Sequence, residues 1–159
     1  MVDALLFLAG AALLGVVLWD IFQTIVVPRP TPGRVRLGRH VIPPAWRIWR
    51  WLSTRARTAT RRDWFLGLFA PGAAVMLLAL WIAVIVVAYG LMLYALRSEI
   101  VPAPASLLEA IYFAGTSALT IGYGDVVATG GASRIIVLVA AASGLGVVAL
   151  VITFLFSLT

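Results

Sequence analysis

The residues with the clearest chemistry are six in a row, Thr120-Ile121-Gly122-Tyr123-Gly124-Asp125. Glycine has no Cβ and takes left-handed dihedrals without steric penalty. Gly122 and Gly124 stand at alternate positions, so they can turn successive carbonyls toward one side of the backbone. Repeated around a symmetry axis, such carbonyls form rings of oxygens that can replace the hydration shell of a cation. Thr120 would add a carbonyl and a hydroxyl at one end. The Asp125 carboxylate at the other end would raise the local concentration of cations. One chain cannot close a ring, so the chemistry requires several copies about an axis. A plain turn between two helices is the competing reading, and the surroundings of the stretch argue against it.

Those surroundings are a membrane protein's. Of the 159 residues, 63% are hydrophobic and only 11% charged, and the mean hydropathy is +1.08, which excludes an ordinary soluble domain. The chain has no cysteine, so disulfides and cysteine metal sites are excluded. The net charge of +6 comes from 12 arginines, ten of them between Arg29 and Arg62. That clustering between two apolar runs reads as membrane orientation, not as a nucleic-acid surface.

Directly before the six residues, Val101-Pro102-Ala103-Pro104-Ala105 leads to Ser106, with Glu109 three residues on. Ser-x-x-Glu before an apolar run is a capping-box signature and predicts a helix from Leu107 to about Leu119. Twelve or so residues cover about 18 Å, too short to span, so this helix must enter the membrane and stop inside it. Its C-terminus would face the membrane centre, where several such termini about an axis favour a cation. Behind it, Val126 to Ala132 is a glycine-containing return, and Ser133 to about Leu158 is an apolar span.

Two further spans precede this unit. Ala4 to Val27 is long enough to cross about 30 Å of hydrocarbon. It carries Asp20 near its end, for which pairing with an arginine of the next segment at the interface is expected. Gly72 to Leu96 is the second span. Between them the prolines from Pro28 to Pro32 end the first helix. From Pro44 on, Trp46, Trp49 and Leu52 recur at helical spacing among Arg47, Arg50, Arg55, Arg57, Arg61 and Arg62. The pattern predicts an amphipathic helix in the headgroup region, with Trp46, Arg47, Trp49 and Arg50 as lipid contacts, anionic lipid being the partner. Three units follow: residues 1–27, an N-terminal transmembrane helix; residues 28–63, a connector; residues 64–159, a pore-forming unit. The arginine bias places residues 28–63 and the C-terminus in the cytosol and the N-terminus outside.

The Thr120–Asp125 string closely resembles the potassium-channel signature, with Ile121 where that family usually has valine. The resemblance covers about Leu107 to Ile152. It implies an all-α membrane protein, with three transmembrane helices, a re-entrant pore helix and an extended selectivity filter, assembled as a homotetramer. It also implies passive, potassium-selective conduction, with potassium ions held by Thr120, Ile121, Gly122 and Tyr123. Tyr123 would point away from the axis and pack on Tyr112 and Phe113. Gly124 and Thr116 would support the filter, and Asp125 would sit at the outer mouth. Gly144 and Arg134 stand where such pore domains commonly place a hinge glycine and a basic residue. Close helix packing is an equal reading of Gly144. Leu145, Val148 and Ile152 share a face beyond it and would line an apolar cavity.

The wider layout resembles bacterial one-pore potassium-channel-like proteins with an extra N-terminal span, which implies the plasma (inner) membrane. Some positions depart from the family. Thr116 stands where simple bacterial pores often have a carboxylate, Leu119 where they have a threonine, and Tyr112-Phe113 replaces a tryptophan pair. Val126 and Val127 put no aromatic ring at the mouth, so weak block by external tetraethylammonium is expected. A potassium-transporter subunit is one alternative, against which the complete TIGYGD string argues. A non-conducting membrane adaptor that binds lipid or protein through the connector is the other. An enzyme is not expected, because His40 is the single histidine and no nucleophile–base set is visible.

Overall fold

The computed structural model describes residues 1–25, 37–54, 63 and 65–156. Among the described residues it is organised by α1 (Val2–Ile25), α2 (Leu37–Ser53), α3 (Phe69–Ala95), α4 (Leu107–Ala118) and α5 (Gly131–Phe156). Among the described residues, three helices are long and apolar enough to cross a membrane, covering Val2–Thr24, Phe65–Ala95 and Gly131–Thr153. The fold is an all-α membrane protein. The only strands among the described residues are β1 (Ile100–Val101) and β2 (Val127–Ala128), an antiparallel ladder that pairs Ile100 with Ala128.

α3 is the central post. It buries Leu77, Trp81, Ile85, Ala88, Tyr89, Met92 and Leu93, against α1, α4 and α5. α1 runs antiparallel to it. Phe7, Leu14, Val17 and Ile21 of α1 belong to the shared core. With Gly10 they make a spacing of three and four residues, the pattern of a helix seam.

Close approach is set by glycines, as in other membrane helix pairs. A Cβ on Gly10 would lie 2.5 Å from the Ala88 carbonyl oxygen. One on Gly90 would lie 2.6 Å from Ile111 Cγ1 and 2.9 Å from Ile111 Cα in α4. Hydrogen bonds fix the remaining joints. The Tyr89 hydroxyl and Ser143 Oγ are 2.8 Å apart, joining α3 to α5.

Two expectations are corrected here, and a third gains a partner. Asp20 is fully buried between α1 and α3, where Trp81 Nε1 donates to its Oδ2 at 2.8 Å. A carboxylate inside a span is tolerated when protein donors satisfy it. The amphipathic helix begins at Leu37, not at Pro44, and runs through Pro43 and Pro44. Trp49 faces protein, not lipid. Its ring stacks on Phe65 at 4.6 Å between centroids, and its Nε1 donates to the Phe65 carbonyl at 2.9 Å. Trp46 meets Phe69 edge-on at 4.6 Å. Arg29, Arg34 and Arg36, from which an arginine partner for Asp20 is expected, and the row from Arg55 to Arg62 lie outside the described residues.

Candidate ion-conduction site

α4 starts where its cap directs. Ser106 has extended backbone, and its Oγ accepts from the Glu109 N–H at 3.3 Å. The Glu109 carboxylate reaches back one residue beyond the cap and accepts from the Ala105 N–H at 2.7 Å. The Glu109 N–H of the first turn and the Ala105 N–H just before the cap are thus satisfied by side chains. α4 ends at Ala118, twelve residues on, at about 18 Å of length.

The chain then takes an unusual path. Thr120 has φ 57°, Gly122 φ 60° and Gly124 φ 77°, while Ile121 and Tyr123 stay at negative φ. Left- and right-handed residues therefore alternate for five positions. In a strand carbonyls point alternately to the two sides, and this alternation turns them to one side. For threonine, which is β-branched, a positive φ is an outlier. Such outliers persist only where surrounding structure enforces them.

Here the enforcement is visible. The Thr116 carbonyl accepts from both the Ile121 N–H at 2.8 Å and the Gly122 N–H at 3.2 Å, and the Ser117 carbonyl accepts from the Thr120 N–H at 3.0 Å. The Thr120, Ile121 and Gly122 amides are pulled back onto the end of α4. The Thr116 and Ser117 carbonyls in the last turn of α4 are thus occupied by the chain's own amides.

Each residue assigned from sequence has a definite place. Thr120, Ile121, Gly122, Tyr123, Gly124 and Asp125 are all exposed in the single chain. Tyr123 is 69% exposed, and among the described residues no ring contact joins it to Tyr112 or Phe113. Tyr112 instead donates its hydroxyl to Asp125 Oδ2 at 2.8 Å, which ties α4 to the end of the Thr120–Asp125 stretch. Phe113 and Thr116 are buried, with Thr116 Oγ1 donating to the Phe113 carbonyl at 3.0 Å. A groove of about 570 Å³ opens between this stretch and α5, lined by Phe113, Thr116, Thr120, Gly122, Val137 and Leu138 among others. Leu145 and Ile152 are exposed, and Val148 is half-buried.

Gly144 has a steric reason. A Cβ there would lie 2.8 Å from the Ala118 carbonyl carbon, with the carbonyl oxygen closer still. The end of α4 rests on α5 at that point. Of the two readings of Gly144, packing is the one with a visible contact.

The family comparison agrees with this geometry. A family model described as an ion channel (Ion_trans_2) matches residues 75–159, more than half of the chain. The chain belongs to the ion-channel family. The match takes in most of α3, all of α4, the Thr120–Asp125 stretch and α5, and it leaves α1 and α2 outside. Compared with curated proteins and with solved structures, the chain has no significant match in either set.

Sequence reasoning missed Glu99 in this ion-channel fold. Its carboxylate accepts from the Ser133 N–H at 2.9 Å, in the first turn of α5. Its carbonyl accepts from the Thr129 N–H at 2.8 Å, the Thr129 hydroxyl at 3.0 Å and the Ser133 hydroxyl at 3.1 Å. Glu99 thus joins the end of α3 to the return after Asp125 and caps α5 with a negative charge. The available signal was an acidic residue at the end of one span and a serine in the first turn of the next.

Arg134 Nε donates to the Ala128 carbonyl at 3.2 Å, across the same return. At the far end of α1, Asp3 pairs with Arg97. The hydrogen bond to Asp3 and its charge hold the Arg97 guanidinium above its ordinary range.

Proposed function

We propose that this ion channel is potassium-selective and conducts passively through a homotetramer, with Thr120–Asp125 as its filter. The observation that carries the reading is the alternation of positive φ at Thr120, Gly122 and Gly124 in a stretch wholly exposed in one chain. Four copies around an axis would enclose those residues and stack the carbonyls of Thr120, Ile121, Gly122 and Tyr123 into rings. Each ring replaces water around a dehydrated potassium ion. Asp125, held by Tyr112, supplies negative potential at the entry. Non-helical backbone at membrane depth is tolerated only where it lines water or protein, and a filter meets that condition.

The same reading assigns the plasma membrane, with the N-terminus outside and residues 28–63 in the cytosol. α2 then lies at the inner headgroups, with Trp46, Arg47 and Arg50 on anionic lipid. Ile48, Trp51 and Leu52 are exposed beside them and would enter the bilayer edge.

The test is cation flux from liposomes holding the purified protein, beside Gly122→Val. Within one chain space is not the obstacle at Gly122, since a Cβ there meets nothing within 4 Å. The obstacle is a β-branched residue at φ 60°. Potassium flux that exceeds sodium flux and disappears in the variant supports the reading. Equal fluxes contradict it.

A further inference from the structure

We propose that α1 positions the filter-bearing helix through α3, with Gly10, Asp20 and Trp81 as the positioning residues. α1 lies outside the part of the chain that the family model matches, so pore architecture alone does not account for it. Yet it is fastened to α3 along its whole length: Asp3 to Arg97, Gly10 to Ala88, and Asp20 to Trp81. Both termini of the seam are polar bonds, and the one at the inner end is fully buried.

Residues 88–92 of α3 carry two contacts within little more than a turn. On one side the site for a Gly10 Cβ is filled by Ala88 O at 2.5 Å, Met92 Cγ at 2.7 Å and Leu91 Cβ at 3.2 Å. On the other, the site for a Gly90 Cβ is filled by Ile111 of α4, backbone included, at 2.6 to 3.2 Å. Ile111 precedes Tyr112, whose hydroxyl holds Asp125 at the filter mouth. Neither contact has slack, because both involve backbone atoms and close-packed interiors transmit displacement instead of absorbing it. A shift of α1 against α3 at Gly10 therefore moves α3 against α4 at Gly90. The buried Trp81–Asp20 bond fixes the register of α1 that makes this contact possible.

The test compares Gly10→Ala with Gly15→Ala, the same substitution one and a half turns away, where a Cβ meets nothing within 4 Å. Trp81→Phe is the companion: it keeps an aromatic side chain, though a smaller one, and removes the donor to Asp20. Amide hydrogen exchange is followed across α4 in the intact assembled protein. Gly10→Ala and Trp81→Phe should speed exchange in α4 by roughly two- to thirtyfold, the span that coupling between packed elements produces. Gly15→Ala should not. A purely local role would move exchange in α1 and α3 only, and that outcome overturns the proposal, as does an equal response to Gly15→Ala. If Gly10→Ala does not assemble, Trp81→Phe decides alone. Potassium flux is measured beside it and rests on the channel reading. Absent selective flux in the wild type would defeat that reading and leave the exchange result standing.

Discussion

Replacing Gly144 by alanine separates a glycine kept for packing from one kept for bending, provided Gly146→Ala is made beside it. Both glycines lie inside α5. Alanine is preferred over glycine in a helix by about 1 kcal/mol, and this gain is common to both variants. What differs is the surroundings. At 146 a Cβ meets nothing within 4 Å. At 144 it lies 2.8 Å from the Ala118 carbonyl carbon and 3.3 Å from Ala118 Cα, where carbon atoms sit comfortably at about 3.5–4.0 Å. The shortfall approaches 1 Å against backbone, which cannot turn away as a side chain can. Overpacking of this kind costs about 1–3 kcal/mol. Since the helix preference cancels, that cost is the expected difference between the variants. For a chain of this size it corresponds to a midpoint of Gly144→Ala lower by roughly 2–12 °C than that of Gly146→Ala. Thermal unfolding of the purified assembly reads it. Equal midpoints, or a higher one for Gly144→Ala, would refute the packing argument and return Gly144 to the hinge reading.

Three other outcomes follow from the same contacts. Glu99→Ala strips the first turn of α5 of its acceptor and its negative charge, at a cost of about 1–2 kcal/mol. Glu99→Gln keeps an acceptor and should lose less, and thermal unfolding that ranks the two equally would contradict the capping role. Tyr112→Phe removes the hydroxyl held by Asp125, a charge-assisted bond. Selectivity should persist while flux decays faster during sustained efflux, and an unchanged decay would mean that the bond does not hold the mouth. External tetraethylammonium should block weakly, because Val126 and Val127 offer no ring. Submillimolar block in a concentration series would sink that idea.

The features legible in the sequence were those that depend on nearby residues. Three spans follow from length and apolarity, the start of α4 from Ser106 and Glu109, and the bend of the Thr120–Asp125 stretch from Gly122 and Gly124. What stayed hidden depends on distant partners. Nothing near Asp20 reveals Trp81, 61 residues away. Nothing near Glu99 reveals Ser133, 34 residues away. Trp46 and Trp49 announce an apolar helix face, but periodicity does not say whether that face meets lipid or, as with Trp49, a neighbouring helix. Thr120 was hidden for another reason. A threonine gives no local signal of positive φ, and its conformation is imposed by the Ser117 carbonyl and by the glycine alternation that follows. The two-residue ladder of Ile100–Val101 with Val127–Ala128 is too short for any alternation to register.

The central claim is that the carbonyls from Thr120 to Tyr123 select potassium, and the most direct measurement is the reversal potential across a planar bilayer holding the assembled protein, with potassium on one side and sodium on the other. A univalent carrier shifts that potential by about 59 mV for each tenfold permeability ratio. The account predicts a displacement toward the potassium equilibrium well beyond one such step, abolished in Gly122→Val. A reversal potential near zero in the conducting wild-type protein would contradict it.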